Sequence, residues 1–330
     1  MTNILVTEAG GVGALNIIKC LREDKSIRII STDTQEYAVG LYKADKRYIV
    51  PKVEDATYFD TLLNICEKED IDVVFPSFDR LISIYSKNKE LFEEKGINVI
   101  VNDRETIEIA SNKFLTYKKL SGFVPMPKTY RYVDLKMQDK VFPLFMKPAK
   151  ASGSESVHKI NSQEELECYI TLSKDNIEDF VFQEYLNGTE YTVDMLCDFK
   201  GKVLSIVPRV RLEIKAGVSY KGVTVRNKSI EKIGNEIAKH LIFKGPICFQ
   251  VRESADTNET KLFEINPRVC GTMVFTKEAG VNMPLLAVKL AMGEKIEREE
   301  LEYKEGIVML RYWEEMYLDT SSGGVSVYRR

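Results

Sequence analysis

Histidine is scarce in this chain, which has only His158 and His240 among its 330 residues. A Ser-His-Asp or Cys-His hydrolase uses an imidazole as its general base. The sequence therefore gives little support to a hydrolase of either type.

The cysteines are few and scattered, and no two of them are separated by only two residues. Structural zinc sites typically combine such closely spaced cysteines with histidines. We therefore expect no zinc site and expect the cysteines to be reduced thiols in apolar surroundings. They are Cys20, Cys66, Cys168, Cys197, Cys248 and Cys270.

The chain lacks both a charge excess and a long apolar run. Its 47 basic and 50 acidic side chains give a net charge of -3, which does not favour a nucleic-acid partner. No apolar stretch reaches the length of about eighteen residues that a membrane span needs. The first residues lack the basic and apolar regions of a signal peptide, so we expect a cytoplasmic protein.

What the sequence does contain is two kinds of secondary-structure pattern. Up to about residue 101, strands and helices alternate, with strands predicted at 3–7, 27–32, 73–76 and 98–101 and helices at 14–22, 58–68 and 79–94. Such alternation with buried Val and Ile predicts a parallel, doubly wound sheet. After residue 110, strands and helices follow one another without strict alternation, which indicates antiparallel sheets. The predicted fold is thus α/β followed by α+β.

A glycine-rich turn, Glu8-Ala9-Gly10-Gly11-Val12-Gly13, follows the first predicted strand. A turn of this kind before a helix can bind a phosphate, and Asp33 stands where a ribose-binding acid would. However, Asn16 occupies the position of the third glycine of a dinucleotide-binding motif. We therefore favour a tight packing turn, and a nicotinamide-dependent oxidoreductase is a weaker alternative.

Two lysines in the second half occupy positions suited to binding phosphates. Lys113 opens a predicted helix, and Lys147 ends an apolar strand that fixes the position of its ammonium group. The small residues that follow, among them Ser152, Gly153 and Ser154, can close over phosphates with backbone N–H groups. Alone, that loop would be a flexible turn.

A third segment joins two predicted strands through a glycine turn. Glu184, Tyr185 and Leu186 end the first strand, and Glu190 begins the second. Backbone groups at a strand edge can bind adenine, and a nearby carboxylate can bind ribose hydroxyls. The alternative is a simple hairpin with surface acids.

The fourth segment places polar residues in two apolar strands. Gln250 lies in one strand, and Glu264 and Asn266 lie two residues apart in the other, so they share one face. Their oxygens are the ligands that Mg²⁺ prefers. Arg268, just beyond, could bind a carboxylate or a transferred phosphoryl group.

Together these motifs resemble, in order and spacing, those of the ATP-grasp superfamily, in particular the large subunit of carbamoyl-phosphate synthase and its single-module relatives. The resemblance implies a pre-ATP-grasp domain at residues 1–110 and a two-lobed ATP-grasp domain at 111–330, with lobes at about 111–189 and 190–330. It implies that ATP is bound by Lys113, Lys147, Ser152, Gly153, Ser154, Glu184, Tyr185, Leu186 and Glu190. It implies Mg²⁺ ligation, with Mn²⁺ as an alternative, by Gln250, Glu264 and Asn266.

The resemblance also implies an ADP-forming ligase that activates a small carboxylate as an acyl phosphate for attack by an amine. Arg268 would stabilise the transferred phosphoryl group. One of Arg209, Arg211 and Lys215 would face the substrate, with Arg211 and Lys215 preferred as catalytic candidates. Relatives of this kind often dimerise, which makes a homodimer an open expectation.

The chain also departs from the synthase pattern. It has one module where the synthase large subunit has two, and Lys113 stands where the synthase has an arginine. Phosphorylation of bicarbonate or carbamate, as in the synthase, is nevertheless an alternative activity. A non-catalytic nucleotide-binding protein is another, although it would have no need of several costly buried charges.

Overall fold

The computed structural model describes residues 1–135, 142–150, 156–172, 176–321 and 324–328. Its first part is a parallel sheet with strand order β3-β2-β1-β4-β5. The strands are β1 (Thr2–Val6), β2 (Ile27–Asp33), β3 (Lys46–Ile49), β4 (Val73–Phe75) and β5 (Asn98–Val99). The helices of this part are α1 (Val12–Leu21), α2 (Tyr58–Lys68), α3 (Asp79–Lys87), α4 (Lys89–Glu93) and α5 (Arg104–Ala110).

A smaller antiparallel sheet follows, with strand order β6-β9-β7-β8. Its strands are β6 (Thr129–Arg131), β7 (Leu144–Pro148), β8 (His158–Ile160) and β9 (Phe180–Glu184). The helices of this region are α6 (Lys113–Leu120), α7 (Tyr132–Leu135) and α8 (Gln163–Leu172). Leu144, Met146, Phe180 and Phe182 form a core of their own for this sheet.

The largest sheet is antiparallel, with strand order β14-β13-β10-β11-β12-β15. Its strands are β10 (Gly188–Cys197), β11 (Val203–Lys215), β12 (Val218–Thr224), β13 (Gly245–Ser254), β14 (Thr260–Asn266) and β15 (Val308–Leu310). The helices here are α9 (Lys228–His240), α10 (Val274–Glu278) and α11 (Met283–Ala291). A separate pair, β16 (Leu318–Asp319) and β17 (Ser326–Val327), follows, and short 3₁₀ helices occupy Val39–Tyr42, Ile177–Asp179 and Arg298–Leu301.

Helix α9 shows how the sequence determines these elements. Asn227 caps the helix by accepting a hydrogen bond of 3.1 Å from the Ile230 backbone N–H. Ile230, Ile233 and Ile237 recur at helical spacing and are buried in the core beneath the large sheet. Burial of each isoleucine contributes about 1.5–3 kcal/mol. A charged residue at position 237 would therefore detach the helix from the sheet.

The parallel sheet and the large sheet share one hydrophobic core. Ile4 and Ile17 of the first part lie in the same buried cluster as Met273 and Leu286, with Leu196 of the large sheet. These two parts therefore pack as one body, while the small sheet has its separate core. The shared core fixes how the parallel sheet and the large sheet are placed relative to each other, and so shapes the space between them.

The structure confirms the predicted fold class and most predicted elements. The helix predicted at 79–94 is instead two helices, α3 and α4, which meet at Asn88. The strands β3, β6, β8 and β12 had no clear signal, because each is short or carries many polar residues. The division into domains at residue 110 stays a prediction.

The expectation that all six cysteines are reduced is wrong for two of them. Cys248 and Cys270 form a disulfide, with their Cα atoms 6.2 Å apart. Cys248 lies on β13 opposite Asn266 of β14. Cys270 follows Asn266 by four residues, at a point where the chain passes close to Cys248 again. This pairing depends on the tertiary fold and leaves no spacing pattern in the sequence. No helix in the described parts of the chain is long and apolar enough to cross a membrane.

Candidate active site

Lys147 lies where the small sheet faces the large one. It is on β7, is only 4% exposed, and its Nζ lies 3.4 Å from the backbone oxygen of Phe263 on β14. The same ammonium group lies 5.0 Å from the centre of the Phe263 ring. Because Lys147 lies within strand β7, its backbone position is fixed, and Phe263 of the large sheet covers its side chain. The predicted phosphate-binding lysine is therefore held where two sheets meet.

Burial lowers the pKa of Lys147 to about 7, because removal from water disfavours the ammonium form. The carboxylate of Glu264 opposes this shift, and the neighbouring charge of Lys113 adds to it. An anionic ligand at this point would favour the charged form. The geometry and the charge state both suit a group that binds phosphate.

The three predicted metal ligands lie together on adjacent strands. Gln250 on β13 is paired in register with Glu264 on β14. The Asn266 side-chain N–H donates a hydrogen bond of 3.1 Å to Glu264 Oε1. This leaves oxygen atoms of all three residues on one surface of a rigid sheet. A donor set of carboxylate and amide oxygens fits Mg²⁺.

Lys113 reaches the same place from helix α6. Its backbone N–H donates to the Ala149 oxygen at 3.0 Å, which ties the helix start to the end of β7. Asn112 caps the helix by accepting from the next two free N–H groups. The buried Lys113 ammonium group lies 4.0 Å from Glu264 Oε2. Both predicted lysines therefore flank the predicted metal ligands.

A narrow slot opens on one side of Lys147. It is lined by Phe145, Tyr185, Leu186 and Phe263, which give it mainly apolar walls. Its volume of about 40 Å³ has room for only a few water molecules. A purine would therefore require these side chains or the two sheets to move apart.

The carboxylate groups predicted to surround the nucleotide are engaged with cations. Glu184 accepts hydrogen bonds of 2.8 and 3.0 Å from Lys261 Nζ, and its backbone N–H donates to the Lys128 oxygen at 2.9 Å. Glu190 forms ion pairs with Arg211 and Arg252 and lines neither this slot nor the large cavity described below. Its predicted contact with ribose would need these pairs to rearrange.

The three alternative substrate-facing residues differ in their surroundings. Arg209 is 2% exposed and donates to Asp194 at 2.6 Å and to the Thr272 hydroxyl at 2.8 Å, which places it in the protein interior. Besides its pair with Glu190, Arg211 donates to the Gly217 oxygen at 2.6 Å. The Lys215 side chain is 55% exposed at the end of β11. None of the three lines the slot or the cavity.

Arg268 joins the metal-ligand strand to the parallel-sheet region. It forms a two-point ion pair with Asp79 at the start of α3, and its guanidinium lies 3.5 Å from Asn266 Oδ1. In this position it orients Asn266 and anchors α3. Ser152, Gly153 and Ser154 lie outside the described residues.

The glycine-rich turn is a packing element in this structure. The Gly10 N–H donates to Asp33 Oδ2 at 2.8 Å, so the predicted ribose acid caps the turn itself. A Cβ atom on Gly13 would lie 2.9 Å from the Ser77 oxygen and 3.6 Å from the Val269 oxygen. This close approach explains the glycine without any bound dinucleotide.

A large cavity of about 700 Å³ opens beside two of the predicted metal ligands, Glu264 and Asn266. Its walls include Glu264 and Asn266 together with residues of α3 and α5 that sequence reasoning missed. The missed polar residues are Asp79, Arg80, Ser83, Lys87, Arg104 and Glu108. One signal could have indicated part of this wall, because ligands of open α/β sheets bind beyond the carboxyl ends of strands where the strand order reverses. Here β4 ends at that point and α3 follows it.

Two family models match the chain. Residues 4–100 match the PylC-like N-terminal domain, and residues 176–316 match a model described as ATP-grasp in the biosynthetic pathway with Ter operon. Among curated proteins, the carbamoyl phosphate synthase large chain of Thermoanaerobacter sp. (strain X514) is 27% identical over 304 residues. That alignment covers 86% of this chain but only 27% of the relative, so the chain spans about a quarter of its length.

Solved structures share the fold at low sequence identity. The L-amino acid ligase from Bacillus licheniformis has a TM-score of 0.70 and 17% identity, covering 92% of this chain and 78% of that one. The biotin carboxylase domain of Hydrogenobacter thermophilus 2-oxoglutarate carboxylase, solved with MgADP and bicarbonate, has a TM-score of 0.71 and 16% identity, covering 91% and 72%. Residues 176–316 are thus similar to an ATP-grasp family and residues 4–100 to PylC-like N-terminal domains, and the chain shares the fold of these solved ligases and carboxylases.

Proposed function

We propose that this protein is an ADP-forming ligase that activates a small carboxylic acid as an acyl phosphate for attack by an amine. One observation carries the proposal. Two buried lysines, Lys113 and Lys147, flank Glu264 and Asn266 between an apolar slot and a large cavity that several charged side chains line. This arrangement supports binding of a nucleotide base at the slot, once its walls move apart, of a triphosphate beside the lysines, and of a second substrate in the cavity.

Gln250, Glu264 and Asn266 would hold Mg²⁺, and Mn²⁺ accepts the same oxygen ligands. When bound, the metal would neutralise charge on the phosphate oxygens. The Hydrogenobacter carboxylase domain, which shares this fold, was solved with MgADP. The choice of donor atoms in this chain supports the same cofactor.

In the proposed reaction, a carboxylate oxygen of the acid attacks the γ-phosphorus of ATP. The bond from that phosphorus to the bridging oxygen of ADP breaks, and ADP leaves with the electron pair. An amine then attacks the carbonyl carbon of the acyl phosphate, loses a proton and expels inorganic phosphate. Lys113 and Lys147 would position the phosphates and stabilise the charge that develops on them. No covalent bond to the protein is needed.

The remaining roles are proposed on the same basis. The segment containing Ser152, Gly153 and Ser154 would cover the phosphates, and the backbone of residues 184–186 would bind adenine. Arg268 would act on the phosphoryl group through its position beside Asn266. A homodimer, as in the solved carboxylase domain dimer, is a further proposal.

A second candidate function is phosphorylation of bicarbonate. The similarity to a carbamoyl phosphate synthase large chain supports it. The large cavity favours the first candidate, because bicarbonate would fill only a small part of about 700 Å³. The two candidates differ in the acid that drives ADP release.

The proposal is tested by ADP release from Mg-ATP with pools of carboxylic acids and amines, and with bicarbonate in a separate reaction. Lys147→Ala and Glu264→Ala serve as inactive variants. Release that requires an acid and an amine, and that both variants lose, supports the ligase. Release with bicarbonate alone supports the second candidate. Failure of the wild-type protein to bind Mg-ATP would overturn both.

A further inference from the structure

The wall of the large cavity opposite the metal ligands is formed by two helices of the parallel-sheet region. Arg80, Ser83 and Lys87 of α3 are spaced by three and four residues, so they lie on one helix face. Arg104, the first residue of α5, lines the same wall. Three cations and a hydroxyl group therefore face a single space.

These cations are not balanced by neighbouring acids. Five basic and three acidic side chains line the cavity. Two of the acids have partners of their own, since Asp79 pairs with Arg268 and Glu264 lies beside Lys113. The third acid, Glu108, follows Arg104 by four residues on α5, so two positive charges remain in excess along this lining. Within the described ranges, no carboxylate lies close enough to Arg80, Lys87 or Arg104 to form an ion pair. Unpaired cations around a concave surface produce a positive potential that attracts anions.

We infer that Arg80, Lys87 and Arg104 bind a second anionic group on the acid substrate, a phosphate or a further carboxylate. The inference rests on the proposed function, because it places the reacting carboxylate at the Lys113 and Glu264 end of the cavity. A volume of about 700 Å³ is typical of sites for small metabolites and accommodates both ends of such an acid. Guanidinium groups bind carboxylate and phosphate through paired hydrogen bonds, which suits the two arginines to this role.

The nucleotide could occupy part of this cavity, so the anion site has to be measured with the nucleotide site filled. The experiment uses the full chain saturated with Mg-ADP, titrated calorimetrically with phosphoglycolate, succinate or acetate. The three acids share a carboxylate and differ in the second group: a phosphate, a carboxylate or none. Comparison of phosphoglycolate with succinate shows which second group is preferred.

We expect phosphoglycolate or succinate to bind at least about tenfold more tightly than acetate, since their second anionic group would accept hydrogen bonds from charged donors. The double variant Arg80→Ala/Lys87→Ala, and separately Arg104→Ala, should lose most of that difference. Binding of Mg-ADP should change little in these variants. Lys95→Ala removes an exposed cation outside the cavity and is the matched control.

The inference fails if acetate binds as tightly as both dianions, if none of the three acids binds, or if the cavity variants bind the dianions as the wild-type protein does. In each case intact Mg-ADP binding leaves the proposed ligase function standing. If Mg-ADP itself does not bind, the proposed function fails, and the same titrations without nucleotide still decide whether the cavity holds dianions.

Discussion

Arg268 and Asp79 are joined by two hydrogen bonds, although 189 residues separate them in the sequence. Arg268 follows the metal-ligand strand, and Asp79 begins a helix that lines the large cavity. The pair is partly buried, with side chains 15% and 24% exposed. It connects β14, which carries Glu264 and Asn266, to the cavity wall that α3 forms.

We predict that Arg268→Ala and Asp79→Ala destabilise the protein in a coupled manner. The double variant should be more stable than the sum of the single effects predicts, with a coupling free energy of about 1–2 kcal/mol. Chemical denaturation followed by circular dichroism measures it. The exposed pair Lys221–Glu213 is the control and should give about 1 kcal/mol or less. Strictly additive effects at Arg268 and Asp79 would contradict the prediction.

A second prediction concerns protons at Lys147. Its pKa is lowered from 10.5 to about 7, so at about pH 8.5 the folded protein without ligand holds it largely neutral. Phosphates favour the ammonium form, and nucleotide binding should therefore take up about one proton. Calorimetry in buffers of different ionisation enthalpy measures this uptake, which should disappear in Lys147→Ala and persist in Lys95→Ala. If Lys147→Ala takes up the same number of protons on nucleotide binding, the proton binds to a group other than Lys147.

The same pKa shift predicts how stability depends on pH. Between the folded pKa of about 7 and the ordinary value of 10.5, the unfolded chain holds a proton on Lys147 that the folded chain lacks. The contribution of this lysine to the free energy of unfolding therefore rises with pH across that window. Denaturation of the wild-type protein and of Lys147→Met at several pH values should show a more positive slope in the wild type, and the difference between the two slopes is the contribution of Lys147.

Removal of a metal ligand should abolish the effect of Mg²⁺ on nucleotide binding. We expect Glu264→Gln to weaken Mg-ATP binding by about tenfold or more, since it removes a charged ligand, and to change binding of metal-free ATP far less. Isothermal titration with and without EDTA separates the two. Glu259→Gln changes an exposed acid on the adjoining turn and should behave as the wild type. Equal loss in both conditions would assign Glu264 a purely structural role.

The buried pair of Arg209 and Asp194 should support the fold rather than bind substrate. Its side chains are 2% and 0% exposed, and Thr276 also donates to Asp194, at 2.5 Å. Asp194→Ala leaves a buried cation without its partner, so we expect a loss of about 3–5 kcal/mol in the free energy of unfolding. Denaturation curves measure it. Asp134→Ala, in an exposed pair with Arg131, should cost about 1 kcal/mol or less.

The sequence predicted the fold class and identified the polar residues at the ends of strands as candidates for the site. Lys147, Glu264 and Asn266 were recognisable because a polar residue in an apolar strand contradicts the local pattern. Arg80 and Lys87 contradicted nothing, since cations on a helix ordinarily face water. Their position in a cavity wall depends on how α3 packs beside the large sheet, which no local pattern encodes.

Two other residues illustrate the same limit. The sequence keeps Arg209 among the three alternatives for a substrate-facing residue, since nothing local shows that it is buried against Asp194 from an adjoining strand. Cys248 and Cys270 carry no spacing signal, because a strand pairing brings them together. In each case the deciding partner comes from another part of the fold.

The bare backbone of Gly13 allows the first helix to press against both Ser77 and Val269. A side chain there would collide with the Ser77 oxygen and shift the first helix, which also lies against Val269 of the segment that carries Arg268. The N-terminal region can therefore not be replaced by that of a relative as if it were an independent domain. A chimera would have to keep the glycine at position 13 together with both Arg268 and Asp79. Otherwise its two parts would be misaligned on either side of the cleft.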